Sequence, residues 1–179
     1  VADGVDLAIR AGIPAPDSAS IIAHPIATLP RVVVAAPRYL RAHGEPRHPA
    51  QLARHTAVVH LSATGGGAAW ELVRGADTCV VEVSGRLRAT ALPALRAAAI
   101  AGGGIALLPR VLVERALARR ELRALALGGW APRAGAIVAL HRTELRAVPR
   151  IAAVLAHLRA GDWLTDAATA AQNQSRSRK

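Results

Sequence analysis

Residues 91–117, ALPALRAAAIAGGGIALLPRVLVERAL, hold the alternation of elements that decides the fold. The Ala-rich run to about residue 101 predicts a helix, and Gly102, Gly103 and Gly104 supply the left-handed turn that ends one. Thr90 is placed to cap its start. GIALL at 104–108 is a short unbroken apolar run, the pattern of a buried strand. Pro109 follows it and suits the first turn of a second helix over 110–120, where its missing N–H is harmless.

The same alternation extends outward. Apolar runs at residues 5–9, 32–36, 57–61, 79–83 and 136–140 read as further buried strands. Helical patterns lie after Pro37, near 49–54 and over 145–160, so the order predicts an α/β fold with a largely parallel sheet. In the last helix Leu145, Val148, Ile151, Ala152, Leu155 and Leu158 share one face, opposite Arg146, Arg150 and Arg159. From residue 164 the chain is small, polar and basic at its end, which predicts a disordered tail over 164–179.

Composition bounds the function. Of 179 residues 42 are Ala, and 22 of the 23 basic residues are Arg, a skew that lets Arg occupy ordinary surface positions and weakens the formal charge of +11 as a sign of nucleic-acid binding. The arginines are spread along the chain, and three Trp, one Tyr and no Phe cannot build base-stacking platforms. Cys79 is the one cysteine, so no disulfide or thiolate metal site forms within a chain, and a reducing cytoplasm fits best. No stretch reaches the ~20 apolar residues of a membrane span. The chain enters a strand pattern by Val5 without an initial Met, which suggests a beginning inside a longer protein.

Catalytic and metal motifs fail on inspection. The glycines of AGGGIALLP precede a strand, the reverse of a dinucleotide fingerprint, and Gly65–Gly67 lack the Lys and Ser/Thr of a P-loop and read as a surface turn. His43, His48 and His55 have no pair at one-turn spacing, so no metal is expected. Ser62 has no nucleophile elbow, and the nearest acid sets, Asp3 with Asp6 and Asp162 with Asp166, lie at the chain ends. The reading is a non-enzyme without cofactor. His60 closes a buried strand, where α/β sheets meet their ligands, and is a pocket candidate.

Four segments in order resemble the C-terminal effector-binding domain of LysR-type transcriptional regulators: DGVDLAIRAG at 3–12, RVVVAAPRYLRAHGEPRHPAQLARH at 31–55, WELVRGADTCVVEVSGRLRATALPALRAAAIAGGGIALLPRVLVERAL at 70–117, and ELRALALGGWAP with AIVALHRTELRAVPRIAAVLAHL after it. The resemblance implies a type II periplasmic-binding-protein-like fold, two Rossmann-like lobes joined by two crossing strands. Lobe one would combine 1–33 with 110–163, and lobe two would span 34–109. A small-molecule effector would sit between them, against Ile9, Arg10, Ala11 and Gly12 from lobe one, and His60, Leu61, Ser62, Thr90 and Ala91 from lobe two. Binding would alter the geometry of a homo-oligomer, dimer or tetramer.

The family's N-terminal winged helix-turn-helix, through which alone DNA would be reached, and the first elements of lobe one have no counterpart here, so lobe one is expected to be incomplete. Where the family often has Asn followed by Asp, this chain has Thr90 and Ala91, which removes a polar side chain. A free-standing solute-binding protein of the same fold is the alternative.

Overall fold

The computed structural model describes residues 4–12, 20–61 and 67–161. They fall into two compact units, unit 1 from Val1–Leu29 with Gly135–Lys179 and unit 2 from Pro30–Ala134. The tail expected at 164–179, with Trp163, Asp162, Asp166 and Asp3, lies outside the described residues, as do Ser62 and Gly65.

Unit 2 is built on a five-stranded sheet. Its strands are β3 (Arg31–Ala35), β4 (Thr56–His60), β7 (Ser84–Ala89), β8 (Ile105–Pro109) and β9 (Arg123–Ala124), in the order β7-β4-β8-β3-β9. The apolar runs are unbroken because both faces are covered, and side chains alternate between them. Val33, Ala35, Ala57, Val59 and Ile105 enter one core with Trp70, Leu72 and Val81 of β5 (Ala69–Arg74) and β6 (Asp77–Glu82). Val32, Val34, Val58, Ala106 and Leu108 enter the other, with Leu95 and Ala99 of α2 (Leu92–Ile100) and Val113 and Ala116 of α3 (Arg110–Ala118). Trp70 is thereby a packing residue, 4% exposed.

The sheet is less parallel than the alternation predicts. β4 runs parallel to β7 and β8, but β3 is antiparallel to β8 and β9. β5 and β6 form an antiparallel hairpin that β10 (Ala131–Pro132) extends. β3 alone runs counter to the rest: α2 joins β7 to β8 and α3 joins β8 to β9, each pair sharing one direction, as a helical crossover requires. β7, SGRLRA, carries no apolar run because four of its six residues are exposed, and this is why the sequence hides it.

The expected lobe limits at 33 and 110 shift to 29/30 and 134/135. Residues 110–134 stay with unit 2 because α3 fills the same core as α2, Ala124 pairs with Val34, and Ala131 pairs with Val73.

Two local starts also differ. The N-cap of α2 is Ala91, with no capping side chain, so Thr90 does not cap: Pro93 sits in the first turn and starts the helix one residue later than expected. Pro109 ends β8 and stands at the N-cap of α3 instead of inside its first turn. The pattern near 49–54 is a 3-10 helix, Pro49–Arg54, closed by a reciprocal cap between His48 and Gln51. Before it, α1 (Pro37–His43) buries Tyr39 and Leu40.

Unit 1 is a three-stranded antiparallel sheet, with β11 (Gly135–Arg142) between β1 (Leu7–Gly12) and β2 (Ile21–Leu29). β2 escapes the sequence reading because Pro25 and His24 interrupt its apolar residues; the proline coincides with a register irregularity opposite Val138. Helix α4 (Pro149–Ala160) lays Ile151, Leu155 and Leu158 on the Ala139 face of the sheet, joined by Leu145 and Val148 from the preceding turn. Ala152, expected on that face, is exposed. The helix starts at Pro149, later than the predicted 145, since residues 143–145 form a separate 3-10 turn.

Candidate functional site

The ends of two parallel strands and the start of α2 create the polar corner of unit 2. β4 and β7 run in register from Val58–Leu87 to His60–Ala89, and the ladder continues one step as the Leu61 N–H donates to the Ala89 carbonyl at 2.9 Å. His60 Nε2 lies 3.2 Å from the Thr90 carbonyl. A carbonyl only accepts, so Nε2 carries a proton, and in the tautomer with hydrogen on Nε2 alone Nδ1 is an acceptor. Thr90 is exposed, and its hydroxyl makes no hydrogen bond among the described residues. Pro93 has no N–H and the Ala94 N–H donates to the Ala91 carbonyl at 3.1 Å, so in the first turn of α2 the Leu92 N–H is the donor left to meet a polar ligand among the described residues.

The chain approaches this corner closely from one other side. Gly67 adopts φ +99°, and a Cβ there would lie 1.7 Å from the His60 carbonyl oxygen, so glycine is required both by conformation and by space. Its own carbonyl accepts the indole N–H of Trp70 at 3.1 Å, which anchors it to the core. The surface turn expected at Gly65–Gly67 is thus, at its last residue, a packed approach to the end of β4. Gly104 plays a similar part at the other end of the strand: at φ +145°, a Cβ there would lie 2.3 Å from the Thr56 carbonyl oxygen.

Of the residues singled out from sequence, the structure brings together His60, Leu61, Thr90 and Ala91. Ser62 lies outside the described residues. Ile9, Arg10, Ala11 and Gly12 all belong to β1 in unit 1, paired with residues 136–139 of β11. Ile9 is 53% exposed, and Arg10 is exposed with no ion pair among the described residues. Asp6, the nearest acid before it, is taken by Arg150 at 3.0 Å.

Two hollows open elsewhere on unit 2. One of about 460 Å³ is bordered by Arg38, Arg41, Arg120 and Glu121, and another of about 330 Å³ by His43, Glu45, Arg54 and His55. Neither touches the strand-end corner. Among the described residues no three His, Cys, Asp or Glu side chains converge as metal ligands, and no helix is long and apolar enough to cross a membrane.

Comparison with known proteins decides the family. The LysR substrate binding domain model matches residues 1–163. The chain belongs to the LysR substrate-binding domain family. It is 31% identical over 159 residues to the HTH-type transcriptional regulator PtxR of Pseudomonas aeruginosa, covering 89% of this chain and 50% of that protein. With the HTH-type transcriptional regulator PgrR of Escherichia coli it shares 33% identity over 95 residues, 52% of this chain and 32% of that one. The chain thus spans half or less of the length of these relatives.

Among solved structures, full-length AphB, a virulence activator of Vibrio cholerae and a member of the LTTR family, superposes with a TM-score of 0.67 at 27% identity, over 87% of this chain and 51% of that chain. The regulatory domain of CrgA from Neisseria meningitidis gives a TM-score of 0.65 at 25% identity, over 87% and 74%. The LysR substrate-binding domain here therefore has the α/β, periplasmic-binding-protein-like fold of these regulatory domains. Every protein named is a regulator, which leaves the free-standing solute-binding alternative without support.

Proposed function

We propose that this LysR substrate-binding domain is the effector-sensing region of a cytoplasmic transcription regulator that reaches DNA through a winged helix-turn-helix elsewhere in its protein. It has no catalytic role in this reading. The observation that carries the proposal is the match of the family model across residues 1–163, joined to a strand-end corner where the Thr90 hydroxyl and the Leu92 N–H have no partner among the described residues. His60 Nδ1 would accept from, and the Thr90 hydroxyl and the Leu92 N–H would donate to, a small polar effector; on unit 1 the exposed Arg10 of β1 is a separate candidate for an anionic group.

An effector that prefers one arrangement of the protein by tenfold biases its equilibrium by about 1.4 kcal/mol, enough to change the geometry of a homo-oligomer and so its operator contacts. A thermal-shift screen of aromatic and short carboxylic acids tests the binding step. The expected result is a compound whose affinity falls about tenfold in Thr90→Val or in Arg10→Ala, a loss typical of one charge-assisted or buried hydrogen bond. Affinity unchanged in both variants would remove the site assignment. Hydrolysis or turnover of a hit would remove the non-enzymatic reading.

A further inference from the structure

Helix α3 ends in a turn that calls for glycine and holds an arginine. The Arg120 N–H donates to the Leu117 carbonyl at 3.0 Å and the Glu121 N–H to the Ala116 carbonyl at 2.9 Å, the paired bonds of a Schellman turn. Residue 120 is its left-handed position, at φ +59°, where glycine is the usual occupant because a Cβ is crowded there. Among the described residues Leu127, at φ +47°, is the other non-glycine residue with positive φ. Leu127 is 1% exposed, so core packing offsets its strain. Arg120 has no such compensation: it is exposed, and its side chain makes no hydrogen bond or ion pair among the described residues.

Arg120 borders the hollow of about 460 Å³ together with Arg38 and Arg41, all within unit 2. Arg38 and Arg41 stand three residues apart on α1 and so share one face of it. Arg38 is held in place: its Nη2 donates to the Ile100 carbonyl at 3.2 Å, and its Nε fills the space beside Gly102, where an added Cβ would lie 2.6 Å from it. Arg41 is exposed and makes no hydrogen bond or ion pair among the described residues. Glu121 is the acid of the lining, and none of the three guanidiniums pairs with it. The rest of the lining, Ala36, Pro37 and Ile100, is apolar.

We infer that this hollow is a second binding site, for a small molecule that carries a phosphate group on an apolar body. Its size fits, since small-molecule sites run from about 300 to 1,000 Å³. One guanidinium fork satisfies a carboxylate, whereas a phosphate group offers three oxygens and close to two charges, which three separate guanidiniums can share. The apolar lining adds nothing for inorganic phosphate, but it can bury an organic substituent. The lining is concave, which suits a small molecule better than the broad phosphate surface of a duplex. Backbone strain of the kind seen at Arg120 gathers at ligand sites, where the side chain gives the reason for it. The site is separate from the strand-end corner and does not depend on what binds there.

The test is calorimetric titration of phenyl phosphate and of inorganic phosphate into the 179-residue chain at physiological ionic strength, which screens attraction to the overall charge. Phenyl phosphate should bind at one site, about tenfold more tightly than inorganic phosphate, and benzoate should not displace it. Its affinity should fall about tenfold in each of Arg41→Ala and Arg120→Gly, the loss expected for one charge-assisted hydrogen bond. Arg120→Gly should keep or raise the melting temperature, because glycine relieves the turn while removing the ligand contact. Arg86→Ala removes an exposed charge from β7, at the sheet edge opposite β9, and should leave affinity unchanged. The inference is overturned by a lack of saturable binding, by affinity unchanged in Arg41→Ala and Arg120→Gly, or by an equal loss in Arg86→Ala. Inorganic phosphate binding as tightly, displacement by benzoate, or a lower melting temperature in Arg120→Gly also overturns it. So does binding of a duplex DNA fragment that is lost in the same two variants and that phenyl phosphate does not displace.

Discussion

His24 on β2 and His141 on β11 face one another with their Nε2 atoms 2.9 Å apart and their rings stacked at 5.0 Å. The proton between them is fixed by what lies at each end. Arg159 of α4 lies 2.8 Å from His24 Nδ1, and a guanidinium can only donate, so Nδ1 accepts and His24 Nε2 bears hydrogen. His141 Nε2 then accepts, which leaves His141 Nδ1 to donate to the Arg142 carbonyl at 2.7 Å. One polarity runs from the helix through both rings to the sheet.

The expected tautomers are therefore Nε2–H for His24 and Nδ1–H for His141, readable from nitrogen chemical shifts of the two rings at neutral pH. His141 is 2% exposed, so His141→Ala should cost about 2–3 kcal/mol, from lost packing and an unpaired partner, in urea unfolding. Reversed tautomers, or a cost near zero, would contradict the arrangement.

A pH dependence follows from a second histidine. The Tyr39 hydroxyl accepts the Thr56 N–H at 3.0 Å and lies 3.2 Å from His55 Nδ1, while His43 stacks on the Tyr39 ring at 4.3 Å. Burial first, and the charge of His43 second, push His55 below its ordinary value. The unfolded chain therefore takes up this proton more readily than the folded one. Stability should be full above the unfolded value of about 6.5 and should decline as pH falls from there through the lower folded value. The melting temperature is expected to drop across this window, with a shallower slope in His55→Asn. Equal slopes in the two proteins would show that His55 is not the group responsible.

Gly67→Ala should be among the costliest single changes near the site, at about 3 kcal/mol, because it combines a positive φ with a collision against the His60 carbonyl. Gly75→Ala provides the comparison, since it has φ +60° with nothing within 4 Å of an added Cβ. Chemical denaturation should rank Gly67→Ala well above Gly75→Ala; a tie would mean that the chain relaxes away from β4 freely.

Leu155→Ala should destabilise unit 1 by about 2–4 kcal/mol, since its side chain packs with Ala139, Ile151 and Leu158. Hydrogen exchange should quicken in β1, β2, β11 and α4. The amides of β3, β4 and β8, whose cores contain no unit 1 residue, should keep their protection. Val154→Ser, on the exposed side of the same helix, should fall within ±0.5 kcal/mol.

What the sequence made legible is what short-range pattern controls. RVVVA, TAVVH and IALLP announce β3, β4 and β8 because burial on two faces leaves no polar residue to blur them, and LPALRAAAIA followed by glycines announces α2. β7 is hidden because it lies at a sheet edge, and the placement of α3 is not legible because its sequence shows an apolar face without showing which core receives it. The corner of His60 and Thr90 was legible as strand ends. The Gly67 approach was not, because it depends on a backbone crossing, and neither was the His24–His141 contact, whose members lie 117 residues apart.

His60 terminates β4, the strand with parallel neighbours on both sides, whose Ala57, Val58 and Val59 are at most 2% exposed. The side chains at 60, 90 and 91 stand outside that packing while the backbone beneath them is clamped by it. If the corner is where the effector binds, as proposed, chemistry there is free to drift where architecture is not: exchanging these three residues would change what is recognised without loosening the support. Directed changes of ligand preference should begin there, with little expected loss of yield or melting temperature.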